Sequence, residues 1–234
     1  MKKIELRNFE NDVELAENAA SMWLDQIRKY PAQNVALSGG TISRLFFQKI
    51  AERAIAEEIF LSEVNFFWAD ERCVPPTNPE SNFALANENL FSRVNIQPDK
   101  IHRLRGELDQ AEAVAEANHE IARTISPGVS GMPVLDLIFL GLGPDGHVAS
   151  LFPNARLEVL TCEEAFLSVE NSPKPPPQRI SLSYTAIAAA KEVWVLISGA
   201  GKDEALRESL LPTGKTSLAR VIQLRSQTTI FTDV

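Results

Sequence analysis

A chain of 234 residues is long enough for one large α/β domain, and 44% hydrophobic with 23% charged residues is an ordinary balance for a globular protein in water. Lys and Arg total 23 against 31 Asp and Glu, a formal charge of −8, which argues against nucleic acid or an anionic membrane as the main partner, since both require a basic face. No stretch approaches the ~20 apolar residues of a membrane span, and Lys2 and Lys3 lead into Glu5, Asn8, Glu10 and Asp12 rather than into the apolar core of a secretory signal.

Cys73 and Cys162 are too few for a disulfide framework or a zinc knuckle, so two reduced thiols in a cytoplasmic protein are expected. Asn11 and Asp12 offer a helix N-cap, and Val13, Ala16, Ala20, Trp23, Leu24 and Ile27 then share one face of a 3.6-residue period that ends at Tyr30-Pro31. Val35-Ala36-Leu37 reads as a short buried strand running into Ser38-Gly39-Gly40-Thr41 and then a helix with Leu45, Phe46 and Ile50. Strand, glycine pair, hydroxyls and helix is an arrangement that aims free backbone N–H groups at an anion, although neither the P-loop nor the dinucleotide-binding spacing is present. A plain tight turn is the competing reading of the glycine pair.

Val64 to Ala69 is the next strand, and it ends on Asp70-Glu71-Arg72-Cys73. Three charges in a row form either a solvated ion-pair cluster or a functional strand end. Cys73 is a poor nucleophile, because the flanking carboxylates raise the pKa of a thiol. Asn78 to Asn82 forms a turn before a helix with Phe83, Ala86, Leu90 and Phe91. His102 lacks a glycine turn or an adjacent carboxylate, and His119 lies on the surface of a helix opened by Asp109 and Glu112.

The central stretch is Leu135 to Pro153, LDLIFLGLGPDGHVASLFP. Its apolar run suits a strand buried on both faces of a parallel sheet, and its glycines allow a tight turn that carries Asp145 and His147. Ligands of open α/β sheets bind beyond the carboxyl ends of the strands, so this histidine is the first candidate for chemistry; a capping or purely structural histidine is the alternative. Asn171 to Gln178, with three consecutive prolines, is an extended loop leading to Arg179 and a short strand through Ser183. Val193 to Ile197 is a further buried strand closing on Gly199-Ala200-Gly201-Lys202, and Thr228 to Thr232 is the last. Alternating strands and helices throughout imply a mostly parallel sheet covered on both faces, in a single domain over residues 1–234.

Four strand-to-helix junctions thus carry polar cargo to one sheet edge. A helix N-terminus contributes only about 0.3–1 kcal/mol to a bound anion. Micromolar affinity requires about 8 kcal/mol. Charge-assisted bonds of about 1.5–3 kcal/mol each, from Arg72, Arg179 and Lys202, would supply the difference. A phosphorylated small molecule fits best.

The set LSGG, WADERCVPPTNPESN, DLIFLGLGPDGHVASLFP, PKPPPQRISLS and ISGAGK, in order over about residues 34 to 202, resembles the 6-phosphogluconolactonases, relatives of the glucosamine-6-phosphate isomerase/deaminases. The resemblance implies a Rossmann-like three-layer α/β/α fold and hydrolysis of 6-phospho-D-glucono-1,5-lactone without a cofactor. No metal is expected, because Asp145 and His147 lack further ligands at metal-site spacing, and a monomer or weak homo-oligomer is expected. In the deaminase branch a glutamate precedes the proline that is Pro153 here; this chain has Phe152, which can neither bond a histidine nor move protons. Lactonases commonly follow the glycine pair with Ser-Thr-Pro, whereas Thr41-Ile42-Ser43 stand here, so phosphate contacts there rest on backbone N–H groups with Thr41 or Ser43.

The expected machinery is His147 as general base, with Asp145 or Asp70 fixing its tautomer. Backbone N–H groups near Gly39-Gly40 or Gly143 would receive the oxyanion. Ser38, Thr41, Arg72, Arg179 and Lys202 would hold the substrate. A deaminase-like enzyme and a non-catalytic sugar-phosphate-binding protein are the alternatives.

Overall fold

The computed structural model describes residues 3–234. In chain order the elements are β1 (Lys3–Asn8), α1 (Asp12–Lys29), β2 (Gln33–Leu37), α2 (Thr41–Ala56), β3 (Val64–Trp68) and β4 (Asp70–Arg72). They continue with α3 (Asn82–Ala86), which runs into a single π turn, then α4 (Gln110–Thr124), β5 (Leu137–Gly141), α5 (Leu157–Leu160) and β6 (Phe166–Val169). The last are β7 (Arg179–Leu182), α6 (Tyr184–Ala189), β8 (Glu192–Ile197), α7 (Asp203–Leu210), α8 (Ser217–Leu224) and β9 (Gln227–Thr232). Among the described residues, no helix is long and apolar enough to cross a membrane.

Six strands form one sheet in the order β1-β9-β8-β5-β2-β3, and every pairing in it is parallel. With helices flanking it, the architecture is the expected Rossmann-like α/β/α sandwich. The central strand β5 is buried from Leu137 to Leu140, as its unbroken apolar run requires. Phe139 on that strand is the hub of an aromatic cluster: its ring lies 5.5 Å from Trp23 of α1, 4.8 Å from Phe46 of α2 and 5.8 Å from Trp194 of β8. Trp23 therefore belongs to the core. Asp136, the one polar interruption before β5, accepts a bond from the Asn34 amide at 2.7 Å and pairs with Lys191 at 2.6 Å.

Asn11 caps α1 by accepting from the Glu14 amide at 3.0 Å. Val13, expected on the buried face, is 42% exposed because it precedes the first turn that reaches the sheet. Several elements went unanticipated, among them β1, β4, α5, β6, α6 and α8. β1, KIELRN, alternates polar and apolar residues from Lys3 to Arg7 and takes the edge position beside β9. Asp70–Arg72, expected as the carboxyl end of the preceding strand, is a strand of its own: it pairs antiparallel with β7, which pairs with β6, in a second, three-stranded sheet. The chain passes between the sheets at Ala69, whose N–H donates to Leu37 of the large sheet at 2.8 Å and whose carbonyl accepts from Leu182 of the small one at 2.7 Å.

Candidate active site

From β2 the chain moves outward to β3, yet from β5 it moves the opposite way through β8 and β9. The strand order therefore reverses between β2 and β5, and the crevice outside the carboxyl ends of such a pair is where open α/β sheets bind ligands. A cleft lies there. Its walls include Ser38, Gly39, Gly40 and Thr41 after β2, Asp70 and Arg72 of β4, Gly143 and His147 after β5, Arg179 of β7 and Lys202 after β8. All four polar junctions thus meet at one mouth. Asp145 is not on the wall but behind His147. Ile42, Asn82, Leu142 and Ala149 also line the cleft and were not singled out from the sequence.

His147 Nδ1 lies 2.5 Å from Asp145 Oδ1. With that carboxylate ionised, Nδ1 carries the proton, and Nε2, which has no hydrogen-bond partner among the described residues, keeps its lone pair. The ring rests on Phe152 at 4.8 Å between centroids. Burial pushes the imidazole pKa below its ordinary value and outweighs the opposing bond to and charge of Asp145; Lys174 lowers it further, and the charge of Asp70 raises it. For Asp145, burial is the largest single influence and acts upward, but the bond to His147 and the charges of His147 and Lys174 together hold it below its ordinary value. Both directions favour the neutral imidazole beside an ionised carboxylate. Gly143 makes the pair possible: a Cβ there would stand 2.0 Å from Nδ1 of His147 and 2.6 Å from Asp145 Oδ1.

Asp70 makes no hydrogen bond to His147, so Asp145 alone orients the imidazole by direct contact. Asp70 is buried, and it accepts from Ser150 Oγ at 2.6 Å and from Asn82 Nδ2 at 3.1 Å. Glu71 is buried without a countercharge and caps α3, accepting from the amides of Asn82 and Phe83 at 2.7 and 2.8 Å, from Ser81 Oγ and from the Arg72 amide. Burial is the main influence on its pKa and raises it. The Asp70-Glu71-Arg72 triplet is therefore no solvated ion-pair cluster, because neither carboxylate pairs with Arg72.

The three cations differ in how far the protein already occupies them. Arg72 donates one Nη to the Glu80 carbonyl, while its buried Nε has no partner. Arg179, 3% exposed, donates Nε to Pro176 and Nη2 to the carbonyls of Lys174 and Pro175, and Nη1 takes part in none of these bonds. Lys202 has no ion-pair partner within 4 Å among the described residues; burial lowers its pKa most, the charge of Lys174 adds to that, and Asp233 opposes both.

Gly40 is the N-cap of α2 and supplies no side-chain bond, and the first helical bond there runs from the Arg44 amide to Gly40. The amides of Thr41, Ile42 and Ser43 therefore point out of the helix end unpaired. Two expected donors are committed elsewhere. The Gly143 amide donates to the His147 carbonyl at 2.9 Å, closing the turn, and Ser38 Oγ donates to the Phe139 carbonyl at 2.8 Å. Ser43 Oγ likewise donates to the Gly39 carbonyl at 3.0 Å. The groups left uncommitted at this end of the cleft are the backbone amides and the exposed Thr41.

Outside the cleft, burial first and then the charges of Glu71 and Asp109 push the Cys73 thiol up to about 11, which rules it out as a ready nucleophile. His102, which has no adjacent carboxylate in the sequence, finds one in space: Glu120, 18 residues on, lies 2.6 Å from its Nδ1. That partner sits on α4, beyond the reach of local sequence reading. His119 is exposed.

The family model for glucosamine-6-phosphate isomerases/6-phosphogluconolactonase matches residues 10–231. A protein from Arabidopsis thaliana named 6-phosphogluconolactonase 3, chloroplastic, is 32% identical over 99% of this chain and 73% of its own length. A 6-phosphogluconolactonase from Streptomyces coelicolor is 34% identical over 86% of this chain and 80% of its own. The crystal structure of 6-phosphogluconolactonase from Thermotoga maritima superposes with a TM-score of 0.82 at 28% identity, covering 99% of both chains. A cleft at the β2/β5 reversal and a family match running from before α1 into β9 lead to one assignment: the chain belongs to the glucosamine-6-phosphate isomerase/6-phosphogluconolactonase family.

Proposed function

We propose that this protein hydrolyses 6-phospho-D-glucono-1,5-lactone to 6-phospho-D-gluconate, as a single domain over residues 1–234 working in the cytoplasm. The observation that carries the reading is the Asp145–His147 pair opening its free Nε2 onto the same cleft as Arg72, Arg179 and Lys202. A base and a cluster of cations at one mouth suit an anionic substrate whose reacting carbon needs an activated water.

Nε2 of His147 takes a proton from water as the oxygen attacks the lactone carbonyl, and amides at the head of α2 or along the cleft receive the oxyanion. Collapse breaks the bond from the carbonyl carbon to the ring oxygen, which takes the proton back from the imidazolium. The nascent carboxylic acid then ionises. Arg72, Arg179, Lys202 and the α2 amides bind the phosphate and hydroxyls, and Asp145 holds the imidazole in the reactive tautomer.

Phe152 separates this reading from a deaminase. Its ring packs on His147, where a glutamate would be required to share a proton with it. A lactonase assay corrected for spontaneous ring opening tests the proposal. His147→Ala should lower kcat/KM by about 10²–10⁴, the usual contribution of a positioned base. A loss below tenfold places the base elsewhere, and ammonia release from glucosamine 6-phosphate would restore the deaminase alternative.

A further inference from the structure

Lys174 stands in the proline-rich loop, and its Nζ is 3.8 Å from Asp145 Oδ1, the same oxygen that faces His147 Nδ1. Arg179, on the cleft wall, grips the carbonyls of Lys174, Pro175 and Pro176. Ser172 Oγ adds a bond to the Lys174 carbonyl at 2.8 Å and accepts from its amide at 3.2 Å. The loop is thus fastened on both sides of its lysine, and the lysine is aimed at the back of the catalytic pair.

We propose that Lys174 is a positioning residue for the base: its ammonium group holds the Asp145 carboxylate in place, so that the imidazole proton stays on Nδ1, and its own positive charge opposes the imidazolium, leaving Nε2 free. This deepens the lactonase reading and rests on it for its catalytic meaning, though not for its electrostatics. The charged groups facing His147 are Asp145 on its own turn, Lys174 from the proline-rich loop and Asp70 from β4. The two carboxylates favour the imidazolium and Lys174 opposes it. Without Lys174 the opposing charge is gone, so the imidazole pKa rises. The cation carries a second consequence. Through the carbonyls that Arg179 holds, the residue that lines the substrate cleft also sets where Lys174 sits.

The test is the midpoint of the His147 imidazole titration, read by NMR in the substrate-free protein, for Lys174→Met and Lys174→Arg. Methionine keeps the length and removes the charge; arginine keeps the charge. The expected result is an upward shift of about half a pH unit in Lys174→Met, from loss of one nearby partly screened charge, and near wild-type behaviour in Lys174→Arg. The acid limb of kcat/KM should move by the same amount, lowering activity about threefold on that limb. A folded Lys174→Met protein with an unmoved midpoint overturns the proposal. A raised KM with that midpoint unmoved also overturns it and makes Lys174 a substrate contact instead. Because the titration needs no turnover, a shifted midpoint in a protein without lactonase activity would reject the function while leaving the electrostatic role standing.

Discussion

Gly143 leaves no room for a methyl group, since a Cβ would fall 2.0 Å from Nδ1 of His147. The imidazole and its carboxylate lie against bare backbone on that side, and the turn is closed from the Gly143 amide to the His147 carbonyl. Gly143→Ala must displace the ring or open the turn, and either change misplaces Nε2. We expect kcat to fall by about tenfold or more, because misplacement of reacting groups by about 1 Å is worth roughly 10² in rate. Steady-state kinetics alongside a thermal melt separate this from unfolding. A variant retaining more than half of the wild-type kcat would show that the ring has slack.

At the scale of the element, α3 exists because Glu71 accepts from its first amides. The helix has five residues and cannot sustain itself. Among the described residues the capping carboxylate has no cationic partner and is held by four hydrogen bonds. Glu71→Ala would leave several buried donors empty, at a cost of about 2–4 kcal/mol. In a domain of this size that corresponds to a Tm lower by roughly 5–12 °C. Glu71→Gln, which retains an acceptor, should lose less in the same melt. Since α3 begins with Asn82, which bonds Asp70 and fills the space where a Gly39 Cβ would be, activity should fall together with stability. Equal melting temperatures for wild type and Glu71→Ala would remove the capping account.

At the scale of the whole molecule, the net charge is −8 while the substrate proposed for it is an anion, so binding depends on a few local cations. Lys202 has no ion-pair partner to give up among the described residues. Lys202→Ala should raise KM about ten- to hundredfold with little change in kcat, as the loss of one charge-assisted contact predicts. An unchanged KM would exclude it from the phosphate site. The same scale shows what a one-dimensional reading can reach. The parallel sheet, the four polar junctions and the Asp145–His147 turn were legible because each is written locally, as an apolar run followed by glycines and polar residues. The second sheet was not legible, because Asp70–Arg72 becomes a strand only through its partner more than a hundred residues later. Lys174 against Asp145, Glu120 against His102 and Asn82 beneath Gly39 were hidden for the same reason: each contact joins segments that the sequence keeps apart.

Ala69 belongs to both sheets, one backbone group in each. The plate that bears Arg72 and Arg179 is therefore riveted, within a single residue, to the plate whose strand ends present His147 and Lys202. Neither plate can slide without breaking a bond in the other's ladder. The span from Arg72 and Arg179 to His147 is thereby built into the backbone, like the jaw width of a fixed gauge, and a sugar phosphate one carbon shorter than the proposed substrate would have to bridge a distance the protein does not shorten for it.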